Sequence, residues 1–518
     1  MSLLKRTSRA YVWGQAGRFA EVCLFFGFSL LLPRVLGPRA YGIYSLGLST
    51  AGLCAFVTLF GITPETLGKF VPESSAKGGP GAVRRLLRNL LAVRGYAVLG
   101  AVVVGYALSR LPFGLSHLQF LGGAVGCVLF VFAARSFYDL LVGFSGALLE
   151  LRRVAAAKIL AGVTAPIIFL VFLITKHASV SDALIATAIG YIFGVAMLLV
   201  PWFRPHDGQL SGHKQGAVPL RRILEFGFFA WTVNFFIFVL GDNTDVLLIG
   251  WLLGNAASVG YYAIGARIVF RLVTLVLGWV PLIALASIGQ AHMEGGAEKM
   301  AAVMQAQWKL SMLSLVGPLA LLYCFAGPIV RVLFSPSYLP SLRIVRILCL
   351  LMIFSATCGF DLHSGVLYVL NRERLVSSIM GGAALFNILL EIHLVRKMGI
   401  DGAAWATGVS YLLLSITMTT VSALFVPLRI PWLFNLKILA AASIAIVSTL
   451  WLNPDSLGQL VVACGSWAAA FLIGLALLKP LAVADSLHLC KISPRLGLLV
   501  RKLFVHEAAR LEGAHFTW

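Results

Sequence analysis

Apolar runs of about twenty residues, each closed by Gly, Pro or a group of Arg and Lys, succeed one another from the N-terminus almost to residue 480. A helix needs about 20 predominantly apolar residues to cross some 30 Å of hydrocarbon, so runs of this length predict membrane spans. About fourteen occur, centred near Phe26, Thr50, Val102, Leu129, Phe169, Phe193, Phe238, Thr274, Leu319, Ser355, Leu385, Leu414, Ile444 and Ala470. The pattern predicts an all-α polytopic membrane protein of about 14 transmembrane helices. Lys5, Arg6 and Arg9 lead into a first run that is too long for a signal peptide and lacks a small-residue cleavage site, so the first span is expected to stay as an anchor.

The chain also repeats itself, at a period of about 218 residues. RVLGPRAYGIYSL (34–46) is echoed by WLLGNAASVGYYAI (251–264), so that Gly37 answers to Gly254, Gly42 to Gly260 and Tyr44 to Tyr262. IATAIGY (185–191) is echoed by WATGVSY (405–411), and LELRR (149–153) by LNRER (370–374). Each half holds six predicted spans, an even number, which predicts two six-helix lobes related by a pseudo-two-fold axis along the membrane normal. The expected organisation is an N-terminal lobe over 1–203, a cytoplasmic inter-lobe linker over 204–222 and a C-terminal lobe over 223–428. Two extra C-terminal helices follow over 429–478, and a basic cytoplasmic tail over 479–518 reads either as an amphipathic helix on the inner leaflet or as a poorly ordered tail.

Composition fits: 59% of residues are hydrophobic and 12% charged, and mean hydropathy is +0.92. The formal charge of +21 turns attention to polyanions. With both termini cytoplasmic, roughly twenty-four Lys and Arg fall inside against about eight outside, a positive-inside bias. Arg84, Arg85 and Arg88 then face anionic lipids of the inner leaflet, and no base-contacting element points to nucleic acid. Eight cysteines form no CxxC pair and mostly sit in apolar runs, where they read as small core residues.

The motifs LLPRVLGPRAYGIYSLGLSTAGL (31–53), DVLLIGWLLGNAASVGYYAIGARI (245–268), VLYVLNRERLV (366–376) and NILLEIHLVRKMGIDGAAWAT (387–407) together resemble the polysaccharide transporters. These are the O-antigen and oligosaccharide-lipid flippases of the superfamily that also contains the MATE multidrug exporters and the lipid II flippase. The resemblance covers roughly residues 8 to 478. It implies alternating access in a cytoplasmic (inner) membrane protein acting as a monomer. The substrate would be a polyprenyl-pyrophosphate-linked glycan, with polysaccharide polymerase or glycosyltransferase machinery as further partners. It implies no cofactor beyond a Na+ or H+ coupling ion.

Charges inside apolar runs are costly and mark candidate sites. Glu391 and His393 stand in a run otherwise built of Leu, Ile and Val; Asn387 and Glu391 are four apart and share a helix face, as do Ala403 and Thr407 on the next helix. The resemblance to the lipid II flippase implies a sodium site built from such pairs plus a carboxylate on the seventh helix, here Asp245. Oxygen from Asp245, Asn387, Glu391, Thr407 and the Ala403 carbonyl suits a small hard cation. Glu391 occupies the place of a shorter Asp in the family pattern, and His393, with Glu21, offers proton coupling in its stead. The bland alternative is that Glu391 pairs with a cation such as Arg396.

Arg18, Arg135, Lys158, Arg267 and Arg271 also fall within or near apolar runs, and guanidinium forks suit phosphate oxygens. Arg135 has Asp139 four residues on and Arg18 has Glu21 three residues on, so structural pairing competes there. Arg267 and Arg271 have no acidic neighbour at helical spacing. The resemblance places the first and eighth helices along the transport cavity, which makes Arg18, Arg267 and Arg271 the leading headgroup contacts. The position matching the lipid II flippase arginine on the eighth helix is Gly265, two residues before Arg267.

No nucleotide or catalytic signature competes with this reading. Gly61 to Lys69 has six residues between its glycines where a P-loop has four, and Asp242-Asn243-Thr244-Asp245 lacks the second acidic cluster of prenyl-diphosphate enzymes. A glycan polymerase or ligase needs an extracytoplasmic loop bearing acid–base residues, and the predicted outer loops, roughly ten residues or fewer, are too short for one. The nearest rival is a MATE-like cation-coupled drug exporter, which predicts an acidic or aromatic cavity.

Overall fold

The computed structural model describes residues 3–59, 61–110, 121–175, 178–203, 220–278, 280–481 and 504, with the side chains of 3–26 outside the description. Among these residues every extended element is helical. The first half gives α1 (Leu3–Val57), α2 (Pro64–Arg110), α3 (Val125–Ala147), α4 (Leu151–Thr175) and α5 (Val180–Phe203). The second half opens with α6 (Leu220–Val239), α7 (Asp242–Leu253), α8 (Ala256–Leu277), α9 (Val280–Cys324) and α10 (Ala326–Leu333). It continues through α11 (Leu342–Thr357), α12 (Ser364–Val369), α13 (Glu373–Met398), α14 (Ile400–Ala423), α15 (Trp432–Thr449) and α16 (Leu457–Leu478).

Each predicted span centre falls inside one of these helices. By length and apolarity, 11 of the described helices can cross a membrane, or up to 13 if two bent pairs each count as one span. Their outer faces are apolar where a soluble protein would be polar: Ile174 is 77% exposed, Leu477 73% and Val462 72%, surface that only lipid covers at low cost. The chain is a multi-pass membrane protein. The linker residues 204–219 and the tail residues 482–503 and 505–518 lie outside the described residues, and α6 begins at Leu220, three residues before the predicted start of the C-terminal lobe.

The repeat is visible in the backbone. Gly37 breaks α1 at φ 72° and its counterpart Gly254 ends α7 at φ 58°. A second pair, about 218 residues apart, breaks α2 at Gly79 (φ 59°) and α9 at Gly296 (φ 64°). Left-handed φ costs a residue with a Cβ and glycine little, which is why these four hinges are glycines.

By contact the chain forms two compact units, Met1–Ile264 with Ile388–Ala403, and Gly265–Asn387 with Ala404–Trp518. In the first, α1 packs on α3, α4, α5 and α7, and α2 packs on α3. Its core holds Val71, Leu90, Leu141, Phe144 and Ala157, all buried. The start of α8 belongs to this unit because the repeat-equivalent glycines meet: a Cβ on Gly42 would stand 1.7 Å from the Ala256 carbonyl oxygen and 2.9 Å from the Gly260 nitrogen. One on Gly260 would stand 2.1 Å from the Pro38 carbonyl oxygen. Two backbones cross here with no room for a side chain.

The second unit contains a broken span. α11 ends at Thr357, Gly359 and Phe360 take positive φ (87° and 47°), and a 3-10 turn over Phe360–His363 leads into α12. Carbonyls freed by such a break must be satisfied inside the membrane. Trp308 Nε1 donates to the Ala356 oxygen (3.2 Å), Asn435 Nδ2 to Thr357 (2.9 Å), Ser422 Oγ to His363 (3.2 Å), and Thr419 Oγ1 to Cys358. Asn435 stands on α15, so a helix outside the repeat is tied to a span within it.

Candidate functional site

Two carboxyls are buried together in the first unit. Asp245, in the first turn of α7, and Glu391, near the end of α13, each have 0% exposure, and their carboxyl groups face one another within hydrogen-bonding reach. The Tyr262 hydroxyl of α8 donates to Asp245 Oδ2. Neither Glu391 oxygen has an N–H or O–H donor among the described residues, and Arg396, the cation offered by the bland alternative, is exposed. A buried pair of carboxyls is stable when a proton is shared between them or a cation lies on both. Oxygen-only ligands suit Na+, and unpartnered buried oxygen is what a hard-cation site presents.

The local fold explains why these groups are held so closely. α13 and α14 join at Gly399 (φ 62°), and Gly402 is so tight against α13 that a Cβ there would lie 2.3 Å from the Leu394 carbonyl oxygen. That hairpin seats Ala403, itself fully buried, at the start of α14. Asn387, one helical turn before Glu391, is also fully buried, and neither of its side-chain polar atoms has a partner among the described residues. Thr407, one turn past Ala403, is fully buried as well. Asn387 and Thr407 count with the second unit, whereas Asp245, Glu391 and Ala403 belong to the first.

The repeat shows which parts of this region are scaffold. In the first half Tyr44 shares a hydrogen bond of 3.0 Å with Thr187, and their counterparts Tyr262 and Thr407 are both buried in the second half. The positions answering to Asp245, Asn387 and Glu391 fall at Gly27 or Phe28, Pro166 or Ile167, and Leu170 or Val171, none of which titrates. The tyrosine and threonine belong to both halves; the carboxyls stand in one.

The sequence-derived cations are spread over both units. Arg135 is engaged by Asp139 at 3.4 Å, the intrahelical pairing that competes with a headgroup role, and its guanidinium fills space left by Gly52 (3.1 Å from an added Cβ). Lys158 on α4 is half-buried. Arg267 on α8 is half-buried and Arg271, one turn on, is exposed. His393 is exposed, while the side chains of Arg18 and Glu21 lie outside the described residues.

Two functional candidates escaped the sequence reading. Tyr262 registered only as a repeat marker, and the signal was its place one short helix after an intramembrane aspartate. Arg94 on α2 is 1% exposed; its Nε donates to the Ser136 carbonyl (3.3 Å) and its Nη2 to the Ala55 carbonyl (3.1 Å). It lies six residues beyond the basic stretch Arg84 to Arg88, with apolar residues on both sides, and that setting was the available signal.

Solved structures share this multi-span helical fold. The lipid II flippase MurJ, in an inward closed conformation, superimposes with a TM-score of 0.68 at 16% identity, over 92% of this chain and 99% of that one. A Vibrio cholerae MATE transporter gives 0.56 at 15% identity, over 81% and 96%. An outward-facing multidrug resistance MATE transporter of the MOP superfamily gives 0.56 at 15%, over 81% and 95%. At the sequence level, residues 16–286, just over half of the chain, match the family described as Polysaccharide biosynthesis protein, and the chain belongs to that family. It is also 32% identical over 108 residues to an uncharacterized membrane protein of Methanocaldococcus jannaschii, a match spanning 20% of this chain and 20% of that relative's length. The family resemblance read from the motifs at 31–53, 245–268 and 387–407 therefore holds.

Proposed function

We propose that the protein is a flippase that moves polyprenyl-pyrophosphate-linked oligosaccharide, a precursor of cell-surface polysaccharide, across the cytoplasmic membrane by ion-coupled alternating access, without catalysing a covalent step. The observation that carries the ion coupling is the Asp245–Glu391 pair, fully buried and supported on one side by Tyr262. Buried carboxyls facing each other inside a membrane are costly to keep unless a proton or a cation neutralises them, and either one can serve as the coupling ion. Within the first unit, Asp245, Glu391 and the Ala403 carbonyl are the residues that would hold a Na+; a shared proton is the alternative coupling.

Membership in a polysaccharide biosynthesis family supports a glycan substrate, and a fold shared with a lipid II flippase supports a lipid-linked one. Carrying a pyrophosphate through hydrocarbon requires cations on a wet path. Arg267 and Arg271 are the first candidates, followed by Lys158 and Arg18, while Arg135 is already engaged by Asp139. The test is translocation of a fluorescent polyprenyl-pyrophosphate sugar in proteoliposomes, with sodium and proton gradients imposed separately. Movement driven by one gradient supports the proposal. Movement indifferent to both removes the coupling, and export of a cationic dye in place of the glycolipid would assign the protein to the drug exporters.

A further inference from the structure

The first unit encloses a cavity of about 340 Å³ between the end of α1, the start of α2, α3 and α6, apart from the carboxyl pair. Its walls are mostly apolar, among them Ile62, Leu67, Leu140 and Val142, and its polar groups are few: Arg94, Asp139, Asn234 and Thr63. At the low end of the range for ligand pockets, about 300–1,000 Å³, it has room for one sugar residue and not for a chain.

What those polar groups offer can be worked out one at a time. Arg94 spends Nε and Nη2 on two backbone carbonyls, and its buried Nη1 has no acceptor among the described residues. An unsatisfied guanidinium N–H inside a protein is costly, so a ligand acceptor there is favoured. Asn234 commits its amide hydrogens to Glu65 Oε2 (3.2 Å) and the Ala230 carbonyl (2.9 Å), leaving its oxygen to face a donor. Asp139 is held by Arg135 at 3.4 Å and presents carboxylate oxygen to the same space. Thr63 shares its hydroxyl with Thr66 (3.1 Å).

The cavity therefore presents one strong donor, two acceptors and aliphatic walls. A phosphate matches the donor but has no hydrogen for the acceptors and no apolar group for the aliphatic walls, although Arg94 and Arg135 together outweigh the Asp139 charge. A plain hydroxyl satisfies donor and acceptors but gives the leucine and valine walls nothing to cover. An acetamido group answers all three: its carbonyl accepts from Arg94 Nη1, its N–H donates to Asp139 or Asn234, and its methyl packs on the aliphatic wall. We propose that this cavity is a subsite for an N-acetylated amino sugar of the translocated glycan, with Arg94 as its recognising donor. The assignment rests on the flippase reading, whose substrate class it narrows.

The test is saturation-transfer NMR on the purified full-length protein in detergent, with N-acetylglucosamine and glucose as probes. The expected result is saturation of the acetyl methyl, none for glucose, and binding at least about tenfold weaker in Arg94→Gln. Since Arg94 also braces α1 against α3, Val142→Phe, which fills the cavity and leaves every polar group in place, must show the same loss at an unchanged melting temperature. Equal saturation for glucose, or undiminished acetyl saturation in Val142→Phe, overturns the subsite. The two readings fail separately: glycolipid translocation without acetyl saturation removes the subsite and keeps the flippase, whereas acetyl saturation in a protein that moves no glycolipid removes the flippase.

Discussion

At the scale of single residues, the informative positions are those where polarity is buried without an obvious partner. Glu391 could be picked out of the sequence because a carboxylate among Leu, Ile and Val has to be stabilised by something, and the structure puts a second carboxyl, Asp245, opposite it. Replacing Glu391 by Gln preserves shape and removes one charge. In the proposed cycle a coupling free energy of about 1–3 kcal/mol would give roughly a 5–150-fold stimulation by the ion, and that stimulation is expected to vanish in this variant while ion-independent movement persists. Translocation rates with and without the gradient measure this directly, and stimulation of wild-type size in Glu391→Gln would exclude the site. For the cations the readout is complementation of a flippase-deficient strain. Arg267→Ala and Arg271→Ala are each expected to abolish it at normal membrane abundance, whereas Arg135→Ala is expected to act modestly and through stability, since it removes the intrahelical partner of Asp139 and the group that fills the space beside Gly52.

At the scale of elements, most of the architecture could be read from hydropathy. The predicted spans were legible because a bilayer demands long apolar helices, and nothing else writes that pattern. The duplicated motif around Gly37 and Gly254 was legible for a related reason: a left-handed hinge admits few residues other than glycine. What hydropathy could not carry was continuity and packing. α1 runs through two predicted spans with a break at one residue, and the span near Ser355 stops at Thr357 with its carbonyls capped from other helices. Arg94 was missed because burial of a long basic side chain depends on which carbonyls happen to lie across from it. The crossing of Gly42 and Gly260 yields an element-scale prediction. A methyl at Gly42 would overlap the Ala256 carbonyl oxygen, so Gly42→Ala must force α1 from α8 and cost about 1–3 kcal/mol, read as a lowered melting temperature in detergent. The same substitution at Gly68, where an added Cβ meets nothing within 4 Å, is the matched control.

At the scale of the whole molecule, both halves carry the tyrosine and the threonine, and only the second carries the facing carboxyls. That imbalance limits the energetics of the proposed cycle. If the pair works as a Na+ site in that cycle, it would take one ion for each glycolipid moved. An elementary charge falling through 100 mV releases about 2.3 kcal/mol, equivalent to roughly a fifty-fold concentration ratio before the charge on the cargo itself is counted. A transporter geared this low suits a precursor that is withdrawn on the far side as soon as it arrives, where downhill consumption, and not accumulation, keeps the flux moving.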